Sequence, residues 1–183
     1  FSGTNDPVGK CWTLLSLGNL YDDFGDWKQA VQVYQEVISI YQEMGDEYGE
    51  AQALVNLGTA LYNQSKWREA VEAFKRSLDI FVDVNDISSA AMSLSGLGHI
   101  LAELGEYEQA IECYEASLEI FEEENNISGE VTTLNNIGRV YDNAGKTELA
   151  IEMYQRSLEK ANSQRDLRSQ AIALDNIGVS LGS

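Results

Sequence analysis

The sequence predicts an all-α fold, a solenoid of four helical hairpins plus one further helix. The residue pattern repeats with a period of 40, which is the signature of a stacked repeat array. Within each repeat, apolar residues recur three and four positions apart, as one face of a helix requires. No strand-like alternation of apolar and polar residues competes with this pattern. One glycine marks the same point in every repeat: Gly18, Gly58, Gly98, Gly138 and Gly178.

The first helix of each repeat, helix A, is predicted to begin after an acid or amide that can cap it. These capping residues are Asp6, Asp46, Asp86, Asn126 and Asp166, with Asn5 as an alternative at the first helix. Helix A is expected over about 47–64 in the second repeat and about 167–181 in the last. Its end is predicted where glycine can adopt the left-handed conformation. Those positions are Gly25, Gly105 and Gly145, with Ser65 as the exception.

The second helix, helix B, is predicted to begin near Trp27, Trp67, Tyr107 and Thr147 and to end near Met44, Val84, Glu124 and Asn162. A glycine inside a helix costs ~1 kcal/mol relative to alanine. Its recurrence therefore predicts that helices A and B cross closely there. The residues expected opposite the glycines are the small ones twelve positions later: Ala30, Ala70, Ala110 and Ala150.

The whole chain is interpreted as a single array over 1–183. Its repeats are about 7–46, 47–86, 87–126 and 127–166, followed by a half repeat at 167–183.

The charge balance restricts the class of partner. The 183 residues include 12 Lys and Arg against 30 Asp and Glu, a formal charge of -18. This charge argues against nucleic acid and against an anionic membrane surface, and it favours a neutral or basic protein or peptide ligand. An acidic surface that serves only solubility is the alternative.

A cytoplasmic location is expected, because no apolar run approaches ~18 residues and no signal-peptide pattern opens the chain. Cys11 and Cys113 are expected to be unpaired core residues in a reducing compartment.

No enzymatic chemistry is expected. The repeated glycines lie inside helix patterns rather than in a phosphate-binding loop. His99 is the only histidine, and no cysteine or histidine stands at metal-ligand spacing. The sequence therefore predicts no catalytic residues, no metal and no cofactor.

The repeat itself resembles a known family. Each unit reads Leu-x-x-Leu/Ile-Gly-x-x-Tyr/Leu, then Gly-Asp/Glu-Trp/Tyr-x-x-Ala, then Tyr/Phe and Ser-Leu, with local exceptions. This is similar to the tetratricopeptide repeat (TPR), in the long 40-residue subclass of kinesin light chain, partner-of-Inscuteable scaffolds and bacterial peptide-sensing regulators. The resemblance implies a right-handed α-α superhelix whose A helices line a concave groove. It also implies that the groove binds an extended peptide segment of a partner protein.

The predicted peptide-binding residues form a polar stripe, rich in asparagine, on the A helices. A carboxamide offers donors and an acceptor that match a peptide backbone. The stripe comprises Asn19, Asn56, Thr59, Ser95, His99, Asn135, Asn136, Arg139 and Asn176. The alternative is that these amides only bond a neighbouring helix or water. Acids on the same face are expected to favour a neutral or basic ligand: Asp22, Asp23, Glu103, Asp142 and Asp175.

The leading hypothesis is a protein–protein interaction scaffold with a peptide groove. The alternative is a regulatory or sensor TPR segment of a larger signalling protein. Homo-oligomerisation through the C-terminal helix is a third hypothesis, because Ile172, Val179 and Leu181 have no following helix to cover them. An acidic ridge from Glu108 to Glu122 on the third helix B is interpreted as either a docking surface for a basic partner or a solvated face.

Overall fold

Nine α-helices make up the computed structural model over the residues that it describes, 6–182. The A helices are α1 (Pro7–Asp23), α3 (Glu47–Asn63), α5 (Ile87–Glu103), α7 (Ile127–Asn143) and α9 (Leu167–Gly182). The B helices are α2 (Trp27–Met44), α4 (Trp67–Asp83), α6 (Tyr107–Glu123) and α8 (Thr147–Gln164). The prediction of four hairpins and a further helix is thus confirmed. Every B helix begins at the predicted residue.

The predicted capping residues explain most of the A-helix starts. Asp46 accepts a hydrogen bond from the Gly49 amide at 2.9 Å, and Asn126 accepts one from the Gly129 amide at 3.0 Å. Asp166 accepts from the amides of both Arg168 and Ser169. Each bond satisfies an N–H that the helix itself leaves without a partner. Asp6 occupies the N-cap position of α1, but its side chain accepts no capping bond, and Asn5 lies outside the described residues.

The turns from helix A to helix B all contain one residue with positive φ. Gly25, Gly105 and Gly145 have φ of 74°, 79° and 71°. Ser65 holds the same place in the second hairpin with φ of 60°. A side chain is disfavoured in this left-handed region, so the serine turn carries a backbone cost that the glycine turns avoid.

The backbone divides into two compact units, one ending at Asp86 and one beginning at Ile87. In the first unit α1 packs on α2, α2 on α3 and α3 on α4. In the second unit α5 to α9 pack consecutively in the same way, and α7 also contacts both α5 and α9. Within each unit, the helices therefore bury their apolar faces on their neighbours along the chain, as a stacked repeat requires.

The glycine of each complete hairpin is covered by an aromatic ring of the same hairpin. A Cβ atom built on Gly58 would lie 2.7 Å from Cδ2 of Phe74. The same relation joins Gly18 to Tyr34, and Gly138 to Tyr154. At Gly98 the expected alanine also contributes, since the Ala110 carbonyl oxygen and the Tyr114 ring would both be 3.1 Å away. The alanines are fully buried, and at Gly18, Gly58 and Gly138 the ring one turn later makes the closest contact.

Contacts between successive hairpins follow a similar rule. A Cβ on Gly49 would lie 2.6 Å from Cε1 of Tyr41, and one on Gly129 would lie 2.5 Å from Cγ of Phe121. In both cases the ring belongs to the preceding B helix. A glycine in the first turn of helix A therefore leaves room for an aromatic ring of the preceding hairpin.

The last helix leaves apolar side chains exposed. Val179 is 65% and Leu181 is 71% accessible, and a Cβ on Gly178 would meet no atom within 4 Å. Among residues 6–182, no helix combines the length and apolar character needed to cross a bilayer. Cys11 is fully buried, which raises the pKa of its thiol, and neither Cys11 nor the partly buried Cys113 forms a disulfide.

Candidate functional site

The candidate site is the face of the second unit formed by α5, α7 and α9. Asn136 and Arg139 stand three residues apart on α7 and so project from the same side of the helix. Both line a recess of only about 10 Å³ towards α5 together with His99 and Glu103. Both also line a cleft of about 240 Å³ towards α9, together with Ile172 and other residues. Asn136 and Arg139 are thus shared by two adjacent clefts.

Asn136 and Arg139 have no partner among residues 6–182. No carboxylate of this range lies within ion-pair distance of the exposed Arg139 guanidinium. No hydrogen bond engages the carboxamide of the half-buried Asn136. Asn176 on α9 is half-buried and donates only a long bond, 3.4 Å, to Asn135 Oδ1. These side chains retain the capacity to bind an external group.

His99 lies beside Arg139 on this face and is half-buried. Burial lowers the pKa of its imidazole, and the nearby Arg139 charge lowers it further, while Glu103 acts in the opposite direction. The neutral ring has one N–H donor and one acceptor nitrogen. Near neutral pH, this part of the site therefore contributes a polar group without charge, and the adjacent positive charge belongs to Arg139.

Asn135 and Ser95 belong to the predicted stripe but turn towards the B helices. Asn135 is 8% exposed, and its Nδ2 donates to Val131 O at 2.9 Å and to Ser157 Oγ at 2.7 Å. The Ser95 hydroxyl lies 2.7 Å from the Ser117 hydroxyl. Their polar groups thus connect helix A to helix B within one hairpin.

The predicted residues of the first unit are placed differently. The Tyr34 hydroxyl lies 2.8 Å from both Asn19 Oδ1 and Asp22 Oδ2. The Thr59 hydroxyl donates to the Val55 carbonyl of its own helix at 3.0 Å. Among the described residues, Asn56 has no hydrogen-bonding partner for its carboxamide.

Two of the five acids predicted on this face are engaged by tyrosines. Tyr154 donates to Asp142 Oδ2 at 2.9 Å, and Ser180 donates to the same oxygen at 2.7 Å. Burial and the hydrogen bond to the neighbouring aspartate raise the pKa of both Tyr34 and Tyr154. Burial also raises the pKa of Asp22. The other three predicted acids, Asp23 in the first unit and Glu103 and Asp175 in the second, are exposed.

Sequence reasoning missed two buried carboxylates, Glu50 and Glu130, which are 7% and 2% exposed. Glu50 pairs with Arg76 and accepts a hydrogen bond from Gln42, and Glu130 pairs with Lys160. A signal existed, because both glutamates hold the same position of the 40-residue repeat. These pairs connect an A helix to a B helix and are structural rather than part of the candidate site.

Comparison with known proteins agrees with this architecture. The Tetratricopeptide repeat family model matches residues 9–82 and 89–163. No curated protein sequence matches the chain significantly.

Several solved structures share the fold. BtubC (BKLC) from P. vanneervenii superposes with a TM-score of 0.84 at 20% identity, over 96% of this chain and 74% of that one. A putative kinesin light chain from Podosopora anserina, with nearly identical TPR-like repeats, gives 0.80 at 17% identity, over 97% and 87%. A STAND signal-transduction ATPase from Pyrococcus horikoshii, with a tetratricopeptide repeat sensor, gives 0.86 at 20% identity, over 97% and 28%. The family match covers most of the chain and agrees with the repeat read from its residues, so this chain belongs to the tetratricopeptide repeat family.

Proposed function

We propose that this chain is a non-enzymatic protein-interaction module whose second unit binds an extended peptide segment of a partner across α5, α7 and α9. The observation that carries the proposal is the pair of adjacent clefts that share Asn136 and Arg139. Both side chains are accessible, and neither has a partner among residues 6–182. A polar group that has no partner in the free protein can bond a ligand without first breaking a bond.

The chemistry of the site suits a peptide backbone. The Asn136 carboxamide can donate to a peptide carbonyl and accept from a peptide N–H at the same time. His99 and Asn176 lie on either side of it, in the clefts towards α5 and α9. An extended chain advances about 3.3 Å per residue, so several successive residues would cross this face. We propose a ligand segment that is neutral or basic overall, because Glu103 and Asp175 remain exposed beside it.

The adjacent asparagines of α7 provide a matched test. A random 12-residue peptide library displayed on phage would first be selected on the immobilised chain. Synthetic copies of the enriched peptides would then be titrated against Asn136→Ala and Asn135→Ala, and both variants would be melted. We expect Asn136→Ala to lower affinity with an unchanged Tm, and Asn135→Ala to lower Tm.

Either of two outcomes contradicts the proposal. The first is a selection with no enrichment over blank beads. The second is a set of enriched peptides that bind Asn136→Ala and the Asn136→Ala/Asn176→Ala double variant as tightly as the original chain.

A regulatory or sensor segment of a larger signalling protein is the second candidate function. It is favoured by the structural likeness to the STAND protein, whose tetratricopeptide repeats are described as a sensor and of which this chain spans 28%. The same site would then hold an internal segment or a peptide signal. Nucleotide-binding or other signalling sequence in the same polypeptide would support this function.

A further inference from the structure

We propose that the ligand segment carries an aliphatic residue, whose side chain enters the α7–α9 cleft, and within two positions of it an aspartate or glutamate, whose side-chain carboxylate pairs with Arg139. This inference rests on the proposed peptide-binding function and specifies the ligand that the site prefers.

The α7–α9 cleft has an aliphatic floor and wall with a polar rim. Val131 is buried at its base, and Ile172 is 45% exposed on the α9 side. Asn136, Asn176 and Ser169 supply polar groups around them. The cleft measures about 240 Å³. Because an apolar cavity of about 150 Å³ accepts a benzene-sized group, there is room for a side chain as large as leucine or isoleucine. An aliphatic side chain would remove the exposed part of Ile172 from water.

The charge requirement comes from Arg139. The ion pairs among residues 6–182 use Lys10, Arg76, Arg156 and Lys160. Arg139 is one of eight Lys and Arg that form no ion pair in this range, and it is the one that lines the two clefts; its neighbour Glu103 lies beyond ion-pair distance. The acid one turn along the same helix, Asp142, accepts hydrogen bonds from Tyr154 and Ser180. A guanidinium forms paired, parallel hydrogen bonds with a carboxylate, so an acidic side chain is the group that best complements it.

Arg139 is the only Lys or Arg that lines either cleft, and the recess towards α5 measures only about 10 Å³. The ligand therefore lies in the α7–α9 cleft and meets Arg139 through a side-chain carboxylate; a C-terminal carboxylate at Arg139 is the alternative that the amidated peptide below tests. Because Arg139 and Asn136 line the same α7–α9 cleft as Ile172, the acidic and the aliphatic residue are expected within one or two positions of each other.

Charge reversal tests the inference. The phage library would be selected in parallel on the original chain, on Arg139→Glu and on Arg68→Glu, which makes the same charge change on α4 in the first unit. From the original chain and from Arg68→Glu, we expect peptides with an aliphatic residue within two positions of Asp or Glu. Selection on Arg139→Glu should instead enrich peptides that have Lys or Arg in place of the Asp or Glu and that retain the aliphatic residue.

Synthetic peptides then measure how much the acidic residue, the aliphatic residue and the C-terminus each contribute to affinity. Changing the acidic residue of the enriched peptide to its amide should weaken binding to the original chain about tenfold and should leave binding to Arg139→Gln unchanged. Changing the aliphatic residue to alanine should weaken binding to the original chain more than to Ile172→Ala. Amidation of the peptide C-terminus should have no effect. Circular dichroism would verify that the variants remain helical.

The outcomes separate this inference from the proposed function. Enriched peptides that bind with Asn136 dependence but show no acidic preference would overturn the inference and leave the peptide-binding function standing. A loss of binding on C-terminal amidation would also overturn it. Failure to enrich any peptide on the original chain would contradict both.

Discussion

The two units share one repeat pattern but differ in the polar side chains that their A helices leave available. In the first unit, Asn19 lies within hydrogen-bonding distance of Tyr34 and Thr59 bonds its own helix, so that of the three predicted residues there only Asn56 has no partner among the described residues. In the second unit, Asn136 and Arg139 have no partner among the described residues and line two clefts. The 40-residue period thus determines the position of a residue on helix A, and its neighbours on helix B determine whether its side chain remains available for a ligand.

The two units also differ in how many partners their buried glutamate has. Lys160→Met should lower the free energy of unfolding by about 2–3 kcal/mol, because it leaves the Glu130 carboxylate buried without its counter-ion. Arg76→Met should cost less, about 1 kcal/mol, because Glu50 keeps its hydrogen bond from Gln42. Urea unfolding of both variants measures the difference. The double variant Glu130→Gln/Lys160→Met should recover part of the loss, and equal losses in the two single variants would contradict the comparison.

Replacing two of the repeat glycines by alanine should have opposite effects on stability. Gly58→Ala places a methyl group against the Phe74 ring and should destabilise the first unit by about 1–2 kcal/mol, since the ring must move. Gly178→Ala meets no atom and should stabilise α9 by up to ~1 kcal/mol through helix propensity. Thermal unfolding followed by circular dichroism gives both values. A stabilised Gly58→Ala chain would show that the ring contact does not limit this position.

The turns from helix A to helix B predict a smaller effect. Ser65→Gly should stabilise the first unit by about 0.5–1 kcal/mol, because glycine adopts positive φ without a side-chain penalty. The reverse change in the second unit, Gly105→Ser, should cost a similar amount. Paired urea titrations would detect both, and two changes of the same sign would exclude backbone strain as the cause.

The smallest expected effect concerns His99 in the second unit. Its pKa should lie below the ordinary value of 6.5, chiefly because of burial. Arg139→Gln should raise this pKa, and Glu103→Gln should lower it further. Because the folded-state pKa is lowered, the contribution of His99 to stability is present above pH 6.5 and is lost as the pH falls through the folded-state value. NMR titration of the ring protons in the three chains measures the order, and the reverse order would contradict the described geometry.

Most of the fold could be predicted because its determinants are local. Asp46 and Asn126 cap the helices that follow them, and Gly25, Gly105 and Gly145 occupy left-handed turns as expected. These features depend on residues within one helical turn. The exception at Ser65 kept the same backbone shape, since the flanking helices determine it.

The candidate site could be predicted only in part. The repeat phase identifies Asn135 and Asn136 equally as amides of the A-helix stripe. Their difference arises from Ser157, which lies 22 residues later on helix B and binds Asn135 but not Asn136. The Glu130–Lys160 pair is a contact of the same kind. Such side-chain pairings depend on how two helices are rotated against each other, which the periodicity of one helix does not specify.

The ring that covers each repeat glycine has a consequence for how such a chain can grow. The glycine and its ring lie 16 residues apart in one hairpin. A duplicated hairpin would therefore contain both residues of this contact. The junction between copies depends on two hairpins, since the rings of Tyr41 and Phe121 leave no room for a side chain at Gly49 and Gly129 of the following A helices. A copy of the segment 127–166 should therefore pack well after the B helix that contains Phe121 or the one that contains Tyr41. It should pack poorly after a B helix that has no aromatic ring at this repeat position.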